Sequence, residues 1–271
     1  MPLNQNDPLA QTLDVISRSK RYDQIHPALV HRIAIQELEK RKNVREAARH
    51  TKAKLHQIAG AFIAEPIDFL KWKEELHQIS NTSDPAALKE FCLRMMAVHI
   101  STHERMPFLE AFYGEVFKGI GIIHSVLDLG CGLNPLSIPW MPLAPESIYH
   151  GYDIFLDLVA FNQYFLNQIK VNGNSFACDV SQEENFPPVD LALLLKTLPL
   201  IEQIEKKSVL PLLERIPADI LIVSYPTRSI GGKSKGMSSY YRDHFEKLIS
   251  KKNWQVFEYQ FPNELVFRIH K

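Results

Sequence analysis

Two glycines and three aspartates are spaced so that they could grip a small charged cofactor. The stretch Ser125-Val-Leu-Asp-Leu-Gly-Cys-Gly-Leu-Asn-Pro135 sets Asp128 two residues before Gly130, and Gly132 two residues after it. Gly130 and Gly132 tolerate positive φ and let the backbone approach a ligand closely, which suits a nucleotide-binding turn. A dinucleotide fingerprint would carry a third glycine where Pro135 stands, and that glycine is missing. Asp153 follows Gly130 by about 20 positions, where a strand-end carboxylate can accept hydrogen bonds from both hydroxyls of a ribose. Asp179 ends a third strand-like run. The segment His99-Ile-Ser-Thr-His-Glu-Arg-Met-Pro107 concentrates polar groups between two apolar helical stretches. Arg105 and the hydroxyls there could hold a charged cofactor tail, since arginine pairs bidentately with carboxylates. Ser101 and Glu104 also have the spacing of a helix capping box.

Elements able to position these groups are legible from periodicity. Val126, Leu127 and Leu129 suit a strand buried on both faces. Ser147–Asp153, Ser175–Asp179, Val189–Leu195 and Asp219–Ser224 read as strands two to five, with a helix from Asp157 to Ile169. Trp254–Phe261 and Glu264–Ile269, separated by Pro262-Asn263, read as a closing antiparallel hairpin. Alternating strands and helices imply right-handed crossovers, a mostly parallel sheet and a ligand at the carboxyl ends of its strands. The expected fold class is therefore α/β, Rossmann-like, with an N-terminal helical domain. Three helices precede the sheet: one at Pro8 with Leu9, Leu13 and Ile16, one from Pro27 with Leu29, Val30, Ile33 and Leu38, and one from Asn43 to about Ile58. Arg45, Arg49, Lys52 and His56 share one face of the third. Between residues 60 and 118, Phe62, Phe69, Trp72, Phe91 and Phe112 are expected to pack against the sheet, with a break at Ser80–Pro85.

The 271 residues, 45% hydrophobic, exceed what a minimal core needs. Net charge is zero, but it cancels between unlike segments. Lys+Arg against Asp+Glu is 11 to 6 over residues 1–60, 6 to 9 over 61–124, 5 to 12 over 125–224 and 9 to 4 over 225–271. Two basic ends around an acidic middle fit a polyanion touched by both ends, or simple solvation of surface helices. No apolar run is long enough to span a bilayer, and Met1-Pro-Leu-Asn-Gln-Asn lacks a signal-peptide core, so a cytoplasmic protein with no membrane partner is expected. Cys92, Cys131 and Cys178 are too scattered for a disulfide framework or a zinc site.

The D-x-G-x-G turn resembles motif I of the class I S-adenosylmethionine-dependent methyltransferases. Amino-methylating members carry an Asn/Asp-Pro-Pro-Tyr/Phe loop after strand four, where this chain has Leu195-Lys-Thr-Leu-Pro199. Cytosine-C5 methylation needs a cysteine after strand four or five, and none lies there. A guanine N7 needs neither device, because its lone pair is free at neutral pH. Four stretches together, His99–Arg105, Val126–Leu136, Leu194–Pro199 and Ser229-Ile-Gly-Gly-Lys-Ser-Lys-Gly-Met237, resemble the aminoglycoside-resistance 16S ribosomal RNA methyltransferases, the Arm/Rmt/Kam/Sgm group. The resemblance spans nearly the whole chain. It implies N7 methylation of one guanosine in the decoding A site of the 30S ribosomal subunit, with S-adenosyl-L-methionine as cofactor and aminoglycoside resistance as the outcome. Adenine N1 in the same site and a non-catalytic RNA-binding or assembly role are the alternatives.

Carried over by that resemblance, His99, Ile100, Ser101 and Arg105 would lie by the methionine moiety, Gly130 at the loop and Asp153 on the ribose. Asp179 and Val180 would bracket the adenine, with Leu195 near it. Gln203 or Ile204 would occupy the family's glutamine position. Lys20, Arg21, Arg45, Lys52, Lys233, Lys235, Met237 and Arg242 are the candidates for RNA contact, and Met237 could support a base turned out of its stack. No general base is expected, since catalysis would be by positioning. The implied organisation is an rRNA-binding helical module at 1–60, a helical linker region at 61–118 and a methyltransferase domain at 119–271, in a monomer.

Overall fold

The computed structural model describes residues 7–41, 43–60, 67–228 and 236–271. Phe62, Lys233, Lys235, the segment 229–235 and the first six residues lie outside these. Eleven α-helices and seven strands are present among the described residues. The N-terminal helices are α1 (Pro8–Ser17), α2 (Pro27–Lys40) and α3 (Val44–Leu55), the last running on into a π-helical turn, His56–Gly60. Their starts follow from capping chemistry. Asp7 Oδ1 accepts the Leu9 N–H at 3.1 Å and Asn43 Oδ1 the Arg45 N–H at 2.8 Å, while Pro8 and Pro27 bring a fixed helical φ to the first turn. Ile16, Leu29, Ile33, Ala48, Leu55 and Ile58 close a small core between the three helices, with Leu9, Leu13 and Val30 packed against it.

Next come α4 (Phe69–Thr82), α5 (Pro85–Met96), α6 (Ile100–Arg105) and α7 (Leu109–Val116). The break between α4 and α5 is made by Ser83 in the left-handed region and by Asp84, whose carboxylate caps α5. Trp72, Phe91 and Phe112 are buried against one face of the sheet, with Phe69 half-buried beside them. The sheet comprises β1 (Ile123–Leu129), β2 (Leu143–Asp153), β3 (Asn172–Ala177), β4 (Leu191–Leu195), β5 (Ile220–Pro226), β6 (Gln255–Phe261) and β7 (Glu264–His270). The remaining helices are α8 (Leu156–Gln168), α9 (Leu198–Glu205), α10 (Val209–Arg215) and α11 (Met237–Ile249).

Strand order is β3-β2-β1-β4-β5-β7-β6, parallel except that β7 runs antiparallel to both neighbours. The order reverses at β1, which pairs with β2 on one side and β4 on the other. That reversal opens a crevice at the carboxyl ends of the strands, the usual ligand position in such sheets. All five residues of β4 are buried, as expected for a central strand covered on both faces. Among the described residues no helix is long and apolar enough to cross a membrane.

Candidate cofactor site

A cavity of about 750 Å³, counting its open mouth, lies at this crevice. Its floor is the turn after β1. Gly130 and Gly132 have φ of +68° and +51°, and the Gly130 N–H donates to the Tyr152 carbonyl at 2.8 Å. A Cβ at Gly130 would stand 2.6 Å from Thr197 Cγ2, and one at Gly132 would stand 2.9 Å from His99 Cε1. Both positions therefore require glycine for room as well as for φ.

Asp153 ends β2 and braces this floor. Its Oδ2 accepts the Gly132 N–H at 2.8 Å, and its Oδ1 accepts the N–H groups of Ile154 at 2.7 Å and Phe155 at 3.2 Å. Burial pushes its pKa up, against those three donors. Asp179, Val180, Leu195, His99 and Ser101 complete the expected part of the wall. Seven of the ten cofactor residues named from the sequence thus share one cavity.

Three do not. Arg105 is fully buried, and its guanidinium forks onto Glu264, with Nε at 3.0 Å from Oε2 and Nη2 at 2.7 Å from Oε1. The carboxylate that a cofactor was expected to bring to it is supplied by Glu264 of β7 instead. Ile100 is half-buried on α6 and Gln203 is exposed on α9, neither on the wall; Ile204 takes the place beside Gln203. The capping box also fails to form. α6 starts at Ile100, and Glu104 accepts a hydrogen bond from Lys196 Nζ at 2.6 Å. Asp128 likewise faces inward, accepting from Asn134 Nδ2 at 2.8 Å and from the Tyr149 hydroxyl, with burial raising its pKa to about 6.

Sequence reading missed Lys196, although it lies within the quoted Leu194–Pro199 stretch. It is a buried residue at φ +60°, a conformation that side chains rarely adopt and that concentrates at functional sites. Its ammonium sits between Glu104 and Glu264, the latter 3.7 Å away. Thr197 was also missed; its hydroxyl donates to the Leu129 carbonyl at 2.8 Å and pins the floor from the β4 side. Leu29 and Ile58, from the N-terminal helices, roof the cavity.

His99 is pushed down from 6.5 to about 4 by burial, with the nearby charges of Lys196 and Arg105 adding to the effect. A neutral imidazole is thus the folded form. Unfolded histidine protonates near 6.5, so the stability associated with neutral His99 is full above that pH and is lost as pH falls toward about 4. We expect the stability of the parent relative to His99→Gln, read from urea midpoints, to fall across this window by the equivalent of about 3 kcal/mol; the raised pKa of Asp128 acts in the opposite direction in both proteins and cancels in the difference.

The RNA candidates lie elsewhere. Arg45, Arg49 and His56 are exposed along one face of α3 with Lys52 half-exposed, and Lys20 is exposed in the short turn after α1, whose backbone includes Arg21. Arg45 and Arg18 border a shallow groove between α1 and α3. Met237 opens α11, and Arg242 is paired with Glu258 of β6.

Comparison with known proteins agrees along the full length. The chain is 34% identical to a 16S rRNA (guanine(1405)-N(7))-methyltransferase of Micromonospora rosea over 98% of both chains. It is 30% identical to the enzyme of that name from Serratia marcescens, covering 90% of this chain and 89% of the relative. Among solved structures, the 16S rRNA methyltransferase RmtF in complex with S-adenosyl-L-homocysteine matches with a TM-score of 0.83 at 28% identity, covering 99% of this chain and all of that one. A family model described as ribosomal RNA methyltransferase (FmrO) matches residues 18–268, and the chain belongs to that family.

Proposed function

We propose that this chain transfers a methyl group from S-adenosyl-L-methionine to N7 of a guanosine in the decoding A site of 16S rRNA, within the 30S subunit, and so confers aminoglycoside resistance. The observation that carries this is the glycine-floored cavity with a carboxylate at the end of β2, in a chain that spans 98% of an N7-methyltransferase relative. The cavity suits the cofactor chemically. Flat backbone at Gly130 and Gly132 leaves space that a side chain would fill, Asp153 and Asp179 offer acceptors for hydroxyl and amine donors, and Val180, Leu195, Leu200 and Ile201 offer apolar walls for a ring. When bound, the cofactor supplies an electrophilic methyl group on a sulfonium.

The protein's part is placement. Asp153 would hold the ribose, Asp179 and Val180 the base, Leu195 its edge, and His99 and Ser101 the amino-acid end. In place of Arg105, Lys196 is a cation on the cavity wall, while Arg105 holds Glu264 and thereby Lys196 in position. The nucleophilic nitrogen of guanine carries no proton, so no base is required, and alignment with exclusion of water accounts for the rate. In this reading residues 1–60 form the rRNA-binding module, 61–118 the supporting helices and 119–271 the methyltransferase domain. Lys20, Arg21, Arg45, Lys52, Lys233, Lys235, Met237 and Arg242 would contact the subunit, and the enzyme would work as a cytoplasmic monomer.

Expression in susceptible bacteria tests the reading. High resistance to gentamicin and kanamycin with continued sensitivity to apramycin is the expected pattern. Resistance to apramycin as well would move the target to the adjacent adenine. No resistance in well-expressing cells would overturn the assignment.

A further inference from the structure

Arg32, on α2 in the N-terminal module, reaches across to the cofactor cavity. Its Nε and Nη2 donate to Asp179 Oδ2 at 2.8 and 2.6 Å, Nη2 also reaches Ser181 Oγ at 2.9 Å, and Nη1 lies 3.3 Å from Glu205 Oε2. The other oxygen of Asp179 accepts the Ser181 hydroxyl at 2.7 Å and the Ser181 N–H at 3.2 Å. This carboxylate is therefore fixed in rotation by two residues, one of them some 150 positions away in the chain. Leu29 lies one turn before Arg32 on the same helix and is part of the cavity wall. A backbone seam runs alongside. Ile25 bridges Phe155, the His26 N–H donates to the Ile154 carbonyl at 2.7 Å, and the Leu156 N–H donates to the Gln24 carbonyl at 2.8 Å.

We propose that Arg32 is a positioning residue of the cofactor pocket: it sets the orientation of Asp179 toward the exocyclic amine of the cofactor's base, making the N-terminal module part of base selection. The proposal rests on the reading that this cavity takes S-adenosylmethionine. Held by Ser181 alone, this carboxylate on a short loop after β3 would turn more easily, and the ligand would bear more of the cost of ordering it. Arg32 removes that cost before binding, because a planar guanidinium holds one oxygen from two directions. The amine would share Oδ1 with the Ser181 hydroxyl and N–H, the latter, at 3.2 Å, the longest of the four contacts.

Calorimetry on the full chain with two ligands separates this role from simple wall-building. S-adenosyl-L-homocysteine carries the 6-amino donor, and S-inosyl-L-homocysteine carries an oxygen there. Arg32→Ala is expected to weaken the adenosyl ligand about tenfold and leave the inosyl ligand nearly unchanged, with Arg32→Lys recovering part of the loss. Equal weakening of both ligands, or of neither, would overturn the proposal. If Arg32→Ala does not fold, Arg32→Lys carries the same comparison. Parent protein that binds neither ligand would overturn the cofactor reading itself, an outcome distinct from loss of selectivity in the variant alone.

Discussion

Replacing Glu264 with alanine is expected to destabilise the chain by about 3–5 kcal/mol, the cost of stranding a buried charge. Glu264 on β7 is completely buried and so is Arg105 on α6, and the fork between them ties the helical layer to the antiparallel end of the sheet. Ser224 of β5 donates to the same carboxylate, and Lys196 approaches from β4. Burial alone would raise the Glu264 pKa, yet Arg105 and Lys196 hold it below the usual carboxylate range, so it is ionised at neutral pH. Without it, Arg105 keeps the Asn134 Oδ1 acceptor at 3.2 Å and the face of the Phe112 ring, while Lys196 keeps Glu104. Against a usual total of about 5–15 kcal/mol, that loss should lower the melting temperature by many degrees. Arg105→Met combined with Glu264→Leu should recover much of it, because a buried ion pair contributes little net stability over a packed apolar pair. A single Glu264→Ala within about 1 kcal/mol of the parent would show that water reaches the Arg105 guanidinium.

The sheet was legible because its signals are local. Alternating apolar runs ended in Asp153 and Asp179, and turns such as Pro262-Asn263 fixed strand limits to within a few residues. The floor of the cavity was legible for the same reason, since Gly130, Gly132 and Asp153 obey a backbone requirement that leaves a trace in residue type and spacing. Arg105 was misread because an arginine beside hydroxyls looks the same whether its carboxylate comes from a ligand or from another strand. Its partner, Glu264, stands 159 positions away in the chain, in a hairpin read only as closing the sheet. Leu29 and Ile58 were read as packing residues of their helices, and Arg32 carried no reading; only the antiparallel seam between Ile25 and Phe155 brings them over the sheet edge. The basic face of α3 was readable, since three cations and a histidine at helical spacing must share a side wherever the helix goes.

Asp153→Ala should weaken S-adenosyl-L-homocysteine binding by at least about 100-fold, and Asp153→Asn should do almost as badly. The asparagine result is the more informative because shape is kept. Three backbone N–H groups converge on two carboxylate oxygens, Gly132 on Oδ2 and both Ile154 and Phe155 on Oδ1. An amide has one acceptor oxygen, so either rotamer turns an NH2 group against at least one N–H donor. If the oxygen faces Ile154 and Phe155, the Gly132 N–H is repelled and the glycine turn lifts from the cavity floor. If it faces Gly132, the segment leading into α8 loosens, and with it the seam to the N-terminal helices. Either way the ribose site would be lost together with the flat floor, while the buried layers on both faces of the sheet remain. Calorimetry should therefore lose its binding signal while circular dichroism still reports a folded, cooperatively melting chain. Parent-like affinity in Asp153→Asn would mean that neither the charge nor the second oxygen is used, and that Thr197, the Tyr152 carbonyl and the Asn162 amide suffice to hold the glycine turn.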